Sequence, residues 1–232
     1  MTLSEEVRNA LITKGATIIG FADLTEVSEQ KRMGFNYGIS IATAIDPLTI
    51  SQINDGPTKE YYNEFKRLNS LLDDLADYSA NILQNKGYRA FPLTNRNVVV
   101  DEANWSTILP HKTVATLAGM GWIGKCAVLV NQQFGSAIRI TSILTDAPLE
   151  TAIPIKESKC GNCSICTEVC PGNAVKGINW STDLERESYY DAFSCRKEAR
   201  KRTAKLGFQL TLCGLCVYSC PYTQKYIKSR LK

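Results

Sequence analysis

The chain has a single histidine and no cysteine in its first 125 residues. One histidine excludes a metal site built mainly from imidazoles. No apolar run reaches the roughly eighteen residues of a membrane-spanning helix, so none is expected. The N-terminus, Met-Thr-Leu-Ser-Glu-Glu, lacks both the basic and the apolar regions of a secretory signal. A secreted, disulfide-stapled fold is therefore not expected, and the compartment is expected to be the reducing cytoplasm. With 44% hydrophobic and 22% charged residues, the 232-residue chain can bury a core, which excludes wholesale disorder.

What is present is concentrated. Of nine cysteines, Cys126 stands alone and the other eight lie between Cys160 and Cys220. Charge divides in the same place. Residues 1–150 carry 13 Lys/Arg and 16 Asp/Glu, a net of −3, and residues 151–232 carry 14 and 7, a net of +7. A boundary near Pro154–Ser158 fits both shifts. The expected organisation is α+β: a mixed α/β domain over 1–156 and a small cysteine-rich domain over 157–232.

Thr2-Leu-Ser-Glu5 predicts a capping box opening a helix that Gly15 stops. Residues 16–22 and 38–44 read as strands. Tyr61, Phe65, Leu68, Leu72, Leu75 and Ile82 mark the buried face of a helix over about 58–86. Short strands are expected at 88–93 and 98–100, and a helix at 111–118. Residues 126–130 and 137–144 read as a hairpin around Asn131–Gly135. A basic helix is expected at about 188–206.

Cys160-Gly-Asn-Cys163-Ser-Ile-Cys166-Thr-Glu-Val-Cys170-Pro171 follows the C-x2-C-x2-C-x3-C-P spacing of bacterial 4Fe–4S ferredoxins. In that pattern three thiolates serve one cluster, and the fourth begins a helix and serves the other. Cys213-Gly-Leu-Cys216-Val-Tyr-Ser-Cys220-Pro221 repeats the last three positions, and Leu210 stands where a first cysteine would be. Cys195 is the one unassigned cysteine of this part. Crossed pairing then gives Cys160, Cys163, Cys166 and Cys220 for cluster 1, and Cys170, Cys195, Cys213 and Cys216 for cluster 2. Structural zinc, the competing use of C-x2-C pairs, does not explain a triple at this spacing followed by Cys-Pro.

Gly119-Met-Gly121-Trp-Ile-Gly124 fits G-x-G-x-x-G literally, but the order helix, glycines, strand is not that of a dinucleotide fingerprint. The glycines permit close backbone approach, either to a ligand or to a packed neighbour, with Lys125 beside them. Tyr62 and His111 are candidate proton donors. Cys126 reads as a buried strand residue. The Arg/Lys run at 196–205 reads as a solvated face, with nucleic-acid binding as the alternative.

The segment His111–Lys125, with its Ala-Gly-Met-Gly-Trp-Ile-Gly-Lys ending, resembles that of epoxyqueuosine reductases, as do Ile143–Pro148 and the two cysteine runs. The resemblance implies an iron–sulfur oxidoreductase. Two 4Fe–4S clusters would pass electrons to a cobalamin, which reduces an electrophilic substrate. Gly119, Gly121, Trp122, Gly124 and Lys125 would line the corrinoid. A ferredoxin- or flavodoxin-type donor is implied, with a nucleoside or small-molecule substrate and no membrane. Trp105 stands where the family carries an Asp donor, with Asp101 and Glu102 nearby, and His111-Lys112 replaces the family's Glu-Lys. The chain reads as a short form without the C-terminal helical-repeat domain that helps hold tRNA, which makes tRNA the weaker partner. The alternative function is a non-catalytic ferredoxin-like electron-transfer or corrinoid-handling protein.

Overall fold

A computed structural model describes residues 1–231. In chain order its elements are α1 (Leu3–Thr13), β1 (Ile18–Asp23), α2 (Glu29–Arg32), β2 (Tyr37–Ala44), α3 (Pro47–Ser51), α4 (Lys59–Gln84), β3 (Ala90–Leu93), β4 (Val100–Asp101), β5 (Ser106–Thr107), α5 (His111–Leu117), β6 (Trp122–Ile123), β7 (Leu129–Val130), β8 (Ile138–Thr145), α6 (Ile165–Glu168), α7 (Arg186–Tyr189), α8 (Ala192–Ala204), α9 (Leu215–Tyr218) and α10 (Pro221–Arg230). They divide into two compact units, each assembled from three stretches of chain.

The first unit comprises 1–44, 68–121 and 139–155. Its sheet runs β1-β2-β8-β3, with β1 antiparallel to β2 and β3 antiparallel to β8. The expected capping box is present: Thr2 Oγ1 accepts from the Glu5 N–H, and the Glu5 carboxylate accepts from the Thr2 N–H. Val7 and Leu11 of α1, Ile19 and Phe21 of β1, Ile39 and Ile41 of β2, Leu72, Leu75 and Leu83 of α4 and Ile143 of β8 share one core. Two glycines let α5 and the turn after it lie close against β1 and β2. A Cβ at Gly20 would stand 2.7 Å from the Ala118 carbonyl oxygen, and one at Gly38 would stand 2.9 Å from Val114 Cγ1.

The second unit comprises 45–67, 122–138 and 156–232. Besides the cysteine-rich stretch, the unit takes in 45–67 and 122–138. The physical reason is a shortage of core. Helices α6, α7 and α9 have only four residues each. Ile53, Tyr61, Trp122, Ile123, Leu129, Val130 and Phe134, all from the two added stretches, supply buried apolar bulk. Specific contacts bind the stretches together. Tyr226 Oη donates to the Ile45 carbonyl at 2.9 Å, the Ser136 N–H donates to Thr223 Oγ1 at 3.0 Å, and Arg202 donates to the Asp55 carbonyl at 2.8 Å.

Two local expectations need correction. Cys126 is not in a strand. The hairpin is β6 with β7, pairing Trp122 with Val130 and Ile123 with Leu129, while β8 pairs with β3 instead. The turn closes early because the Gly124 N–H donates to the Val128 carbonyl and Ala127 adopts a left-handed φ of 59°. Also, Cys170-Pro171 begins no helix. Asn173 is left-handed at φ 49°, and Gly172 passes so close to Ser194 that a Cβ would meet its carbonyl oxygen at 2.9 Å. Cys220-Pro221 does begin a helix, with Cys220 as N-cap of α10 and the proline in its first turn.

Gly20→Ala is expected to lower stability by about 1–3 kcal/mol, because the methyl meets backbone that cannot rotate away. Chemical denaturation of the full chain against wild type measures it.

Candidate iron–sulfur site

The eight clustered cysteines are all free and partly buried, and Cys126 is free and buried. No three Cys, His, Asp or Glu side chains among the described residues converge on a point that could hold one metal ion. Some of the thiols lie close enough to influence one another. Cys220 feels Cys160, whereas Cys195 feels Cys170 and Cys213. Cys195 lies between the two cysteine runs. It is presented by α8, whose N-cap Asp191 accepts from the N–H groups of Phe193 and Ser194 at 3.0 Å each.

Oriented donors surround the sulfurs. The Ala174 N–H reaches Cys170 Sγ at 3.3 Å. The Leu215 N–H points at Cys213, and those of Tyr222 and Thr223, in the first turn of α10, point at Cys220. Burial pushes the Cys213 and Cys220 thiols up, and these N–H groups pull the other way. Such bonds favour the anionic sulfur that an iron site needs. The donor set is eight free thiols, three of them with N–H partners, and no disulfide. It fits two 4Fe–4S clusters.

Two side chains that spacing did not single out for this role join them. Tyr190 hydrogen-bonds with Cys195, and burial holds its phenol well above the usual range, so the hydroxyl keeps its proton and donates. The phenol gave no signal in the sequence, since it lies outside both runs. Lys125, 5% exposed, donates to the Cys163 carbonyl at 2.9 Å. Its ammonium lies beside the loop of the first run and favours anionic Cys166.

The other candidates are placed as follows. Gly119 is left-handed at φ 65°, and a Cβ there would meet Ala152 Cβ and the Ile153 carbonyl, each at 3.1 Å. A Cβ on Gly124 would stand 2.9 Å from Val130 Cγ2 and 3.6 Å from Cys160 Sγ. Both glycines are therefore explained by neighbouring protein. Gly121 is buried. Trp122 is buried, meets Tyr222 edge-on at 5.1 Å, and its indole N–H has no partner. Tyr62 belongs to the second unit and stacks on Phe208 with centroids 3.8 Å apart. Asp101 and His111 belong to the first. Asp101 is exposed on the β4–β5 hairpin, where the Asn104 side chain and the Ala103 N–H hold its carboxyl below the usual range. It is ionised at neutral pH, which leaves no proton to give. His111 Nδ1 lies 3.2 Å from Ser142 Oγ, and burial, with Arg139 nearby, pulls the imidazole down to about 4.

Comparison with known proteins agrees with this geometry. Residues 159–223 match a family described as "4Fe-4S double cluster binding domain". An epoxyqueuosine reductase of Synechococcus sp. (strain CC9605) is 33% identical over 122 residues, covering 52% of this chain and 37% of that protein. The chain resembles epoxyqueuosine reductases. It spans little more than a third of the length of that relative. A solved epoxyqueuosine reductase with an epoxyqueuosine-modified tRNA-Tyr stem loop superposes with a TM-score of 0.63 at 20% identity, over 96% of this chain and 65% of the other. A catabolic reductive dehalogenase in complex with 3-bromo-4-hydroxybenzoic acid superposes with a TM-score of 0.73 at 17% identity, over 94% of this chain and 31% of the other. The mixed α/β fold expected from the sequence is thus shared with both kinds of enzyme.

Cys195→Ala is expected to drop iron in the reconstituted protein from about eight to about four per chain, as one cluster loses a ligand. Iron and sulfide analysis reads this, and unchanged iron refutes the Cys195 assignment. His111 predicts a pH effect. Its folded value of about 4 lies below the ordinary 6.5, so the unfolded chain binds the extra proton between them. Stability is complete above about 6.5 and falls toward pH 4, by on the order of 2–3 kcal/mol from this group. His111→Gln should flatten that part of the profile in denaturation measured across pH.

Proposed function

We propose that the protein is an iron–sulfur oxidoreductase that passes electrons singly through two 4Fe–4S clusters to a bound cobalamin, for reduction of an electrophilic substrate. The observation that carries this is eight free thiols gathered in one unit, over residues that match a 4Fe-4S double cluster binding domain. Clusters held by neighbouring runs are suited to one-electron relay. The likeness to epoxyqueuosine reductases and to a reductive dehalogenase supports the reductive direction.

A corrinoid, when bound, would supply low-valent cobalt as nucleophile or reductant. The residues proposed to line it are Gly119, Gly121, Trp122, Gly124 and Lys125. Trp122 offers the clearest fit, because its buried indole N–H is unpartnered and a polar group on a cofactor would satisfy it. Lys125 compensates the charge of the first cysteine loop. Tyr62 is the proton donor carried forward, since Phe208 fixes its ring and a phenol can donate. Asp101, ionised and exposed, and His111, neutral and turned to Ser142, are less suited.

The substrate is proposed to be a nucleoside or a small molecule, with tRNA as the less favoured form. The electron donor is proposed to be a ferredoxin or flavodoxin type. Lys197, Arg200, Lys201 and Lys205 of the α8 region are exposed and would meet an acidic carrier. No helix among the described residues is long and apolar enough to cross a membrane, and a reducing cytoplasm suits clustered thiols.

A second reading has its own support. Gly119 and Gly124 are filled by protein, and Lys125 is tied to the cluster loop. Those features need no corrinoid, and they favour an electron carrier or a corrinoid-handling protein without turnover.

Adding hydroxocobalamin to anaerobically reconstituted protein separates a corrinoid-binding protein from a bare electron carrier. The first predicts a saturable change in the corrinoid's visible spectrum, and Trp122→Ala weakens it at least tenfold. A spectrum identical to that of free cobalamin leaves only the electron carrier.

A further inference from the structure

Lys125 is the one Lys or Arg among the described residues that is buried, at 5% exposure. Its Nζ donates to the Cys163 carbonyl at 2.9 Å. Among the described residues no carboxylate pairs with it. A cation taken out of water without a carboxylate is costly, so its charge must be met in another way. The turn that carries it is closed by the Ala127 N–H to the Gly124 carbonyl at 2.8 Å and by the Gly124 N–H to the Val128 carbonyl at 2.9 Å. Gly124 lies against the same cysteine loop, since a Cβ there would stand 3.6 Å from Cys160 Sγ. Gly124 and Lys125 thus bring one locked turn onto the first cysteine run at two points, and all of these residues belong to the second unit.

A carbonyl does not by itself call for a cation. In the same loop the Gly161 carbonyl accepts from Asn179 Nδ2 at 3.2 Å, and that donor is a neutral amide. A positive charge at Cys163 adds one thing an amide cannot: it answers negative charge. The second run has no such neighbour. Arg196, Lys197, Arg200, Lys201, Arg202 and Lys205 lie between Cys195 and Cys213, and none of them is buried. Arg202 is also paired with the Glu198 carboxylate at 3.0 Å. Water and salt screen charges at the surface, and a buried charge far less. The uneven feature of the unit is therefore one buried cation, placed on the first run.

We propose that Lys125 is the internal counter-ion of the first cysteine run, and that it makes the two clusters unequal by holding the first-run cluster at the higher reduction potential. The inference rests on the two-cluster reading above. Four thiolates give an oxidised cluster a net charge of about −2, and taking up one electron adds a further negative charge. Lys125 attracts the reduced form more strongly than the oxidised one, so it favours reduction of its own cluster. An external one-electron reductant is oxidised in that step and the cluster is reduced. No proton moves and no bond to Lys125 breaks. An electron entering at either cluster then settles on the first-run one, which gives the relay a direction.

The test is an EPR-monitored titration of the reconstituted full chain with dithionite. Wild-type protein should reduce in two separate one-electron steps, and Cys163→Ala should remove the step of higher potential. Lys125→Gln keeps a donor for the Cys163 carbonyl and loses only the charge. Its higher midpoint should fall, on the scale of a tenfold loss in the equilibrium constant, about 59 mV, while the lower one stays. Lys125→Arg, which keeps the charge, should stay near wild type. An unmoved higher midpoint in the Gln variant makes Lys125 a structural tie and overturns the proposal. Equal fall of both midpoints overturns it too, as does loss of the lower step in Cys163→Ala. If the Gln variant fails to keep its iron, wild type decides alone: separate steps support the proposal and coincident ones overturn it. If wild-type protein itself fails to load two clusters, the underlying reading fails instead, and iron analysis of wild type separates the cases.

Discussion

Everything in the second unit depends on holding eight thiols close together without losing the chain that carries them. Bound as thiolates around two cubes, they bring a net charge of about −2 per oxidised cluster into a small volume. Such charge is tolerable only when oriented donors and cations meet it. The N–H groups of Ala174, Leu215, Tyr222 and Thr223 do the first, and buried Lys125 does the second. The net charge of +7 after residue 150 has the same sense, and much of it reads as compensation before it reads as a nucleic-acid footprint.

That demand explains why the unit is discontinuous. Loops shaped by ligand spacing cannot also form long amphipathic elements, so α6, α7 and α9 stay at a single turn. Buried bulk must be imported. Tyr61 and Ile53 press against the backbone at Gly214, which is left-handed at φ 88° and opens α9. The β6–β7 hairpin brings Trp122 and Ile123 together with the turn that points Lys125 at the first cysteine loop. Function and packing are therefore supplied by the same inserted segments.

The sequence was most legible where one residue type at fixed spacing does the chemistry. The two cysteine runs and the double-cluster domain they form could be read from it, because cluster geometry constrains spacing directly. Thr2/Glu5 capping, the strands β1 and β2 and the long α4 were legible from periodicity. The β6–β7 hairpin was not: a left-handed alanine carries no signal in composition, so Ala127 hid the turn. The glycine segment misled in a related way. Gly119 and Gly124 answer to close protein neighbours, and a backbone that must pass near protein looks the same in sequence as one that must pass near a ligand. The helix expected after Cys170 failed because Gly172 and Asn173 bend the chain against α8, a tertiary contact that local spacing cannot announce.

The central claim is that the protein holds two 4Fe–4S clusters close to one another. Fully reduced, anaerobically reconstituted protein examined by EPR, with Mössbauer spectroscopy of the same iron-57 sample, tests it most directly. The account predicts that all bound iron is in 4Fe–4S form and that the two paramagnetic clusters give a spectrum broadened and split by their mutual interaction. One isolated cluster signal, or zinc in place of iron at the cysteine sites, would contradict it.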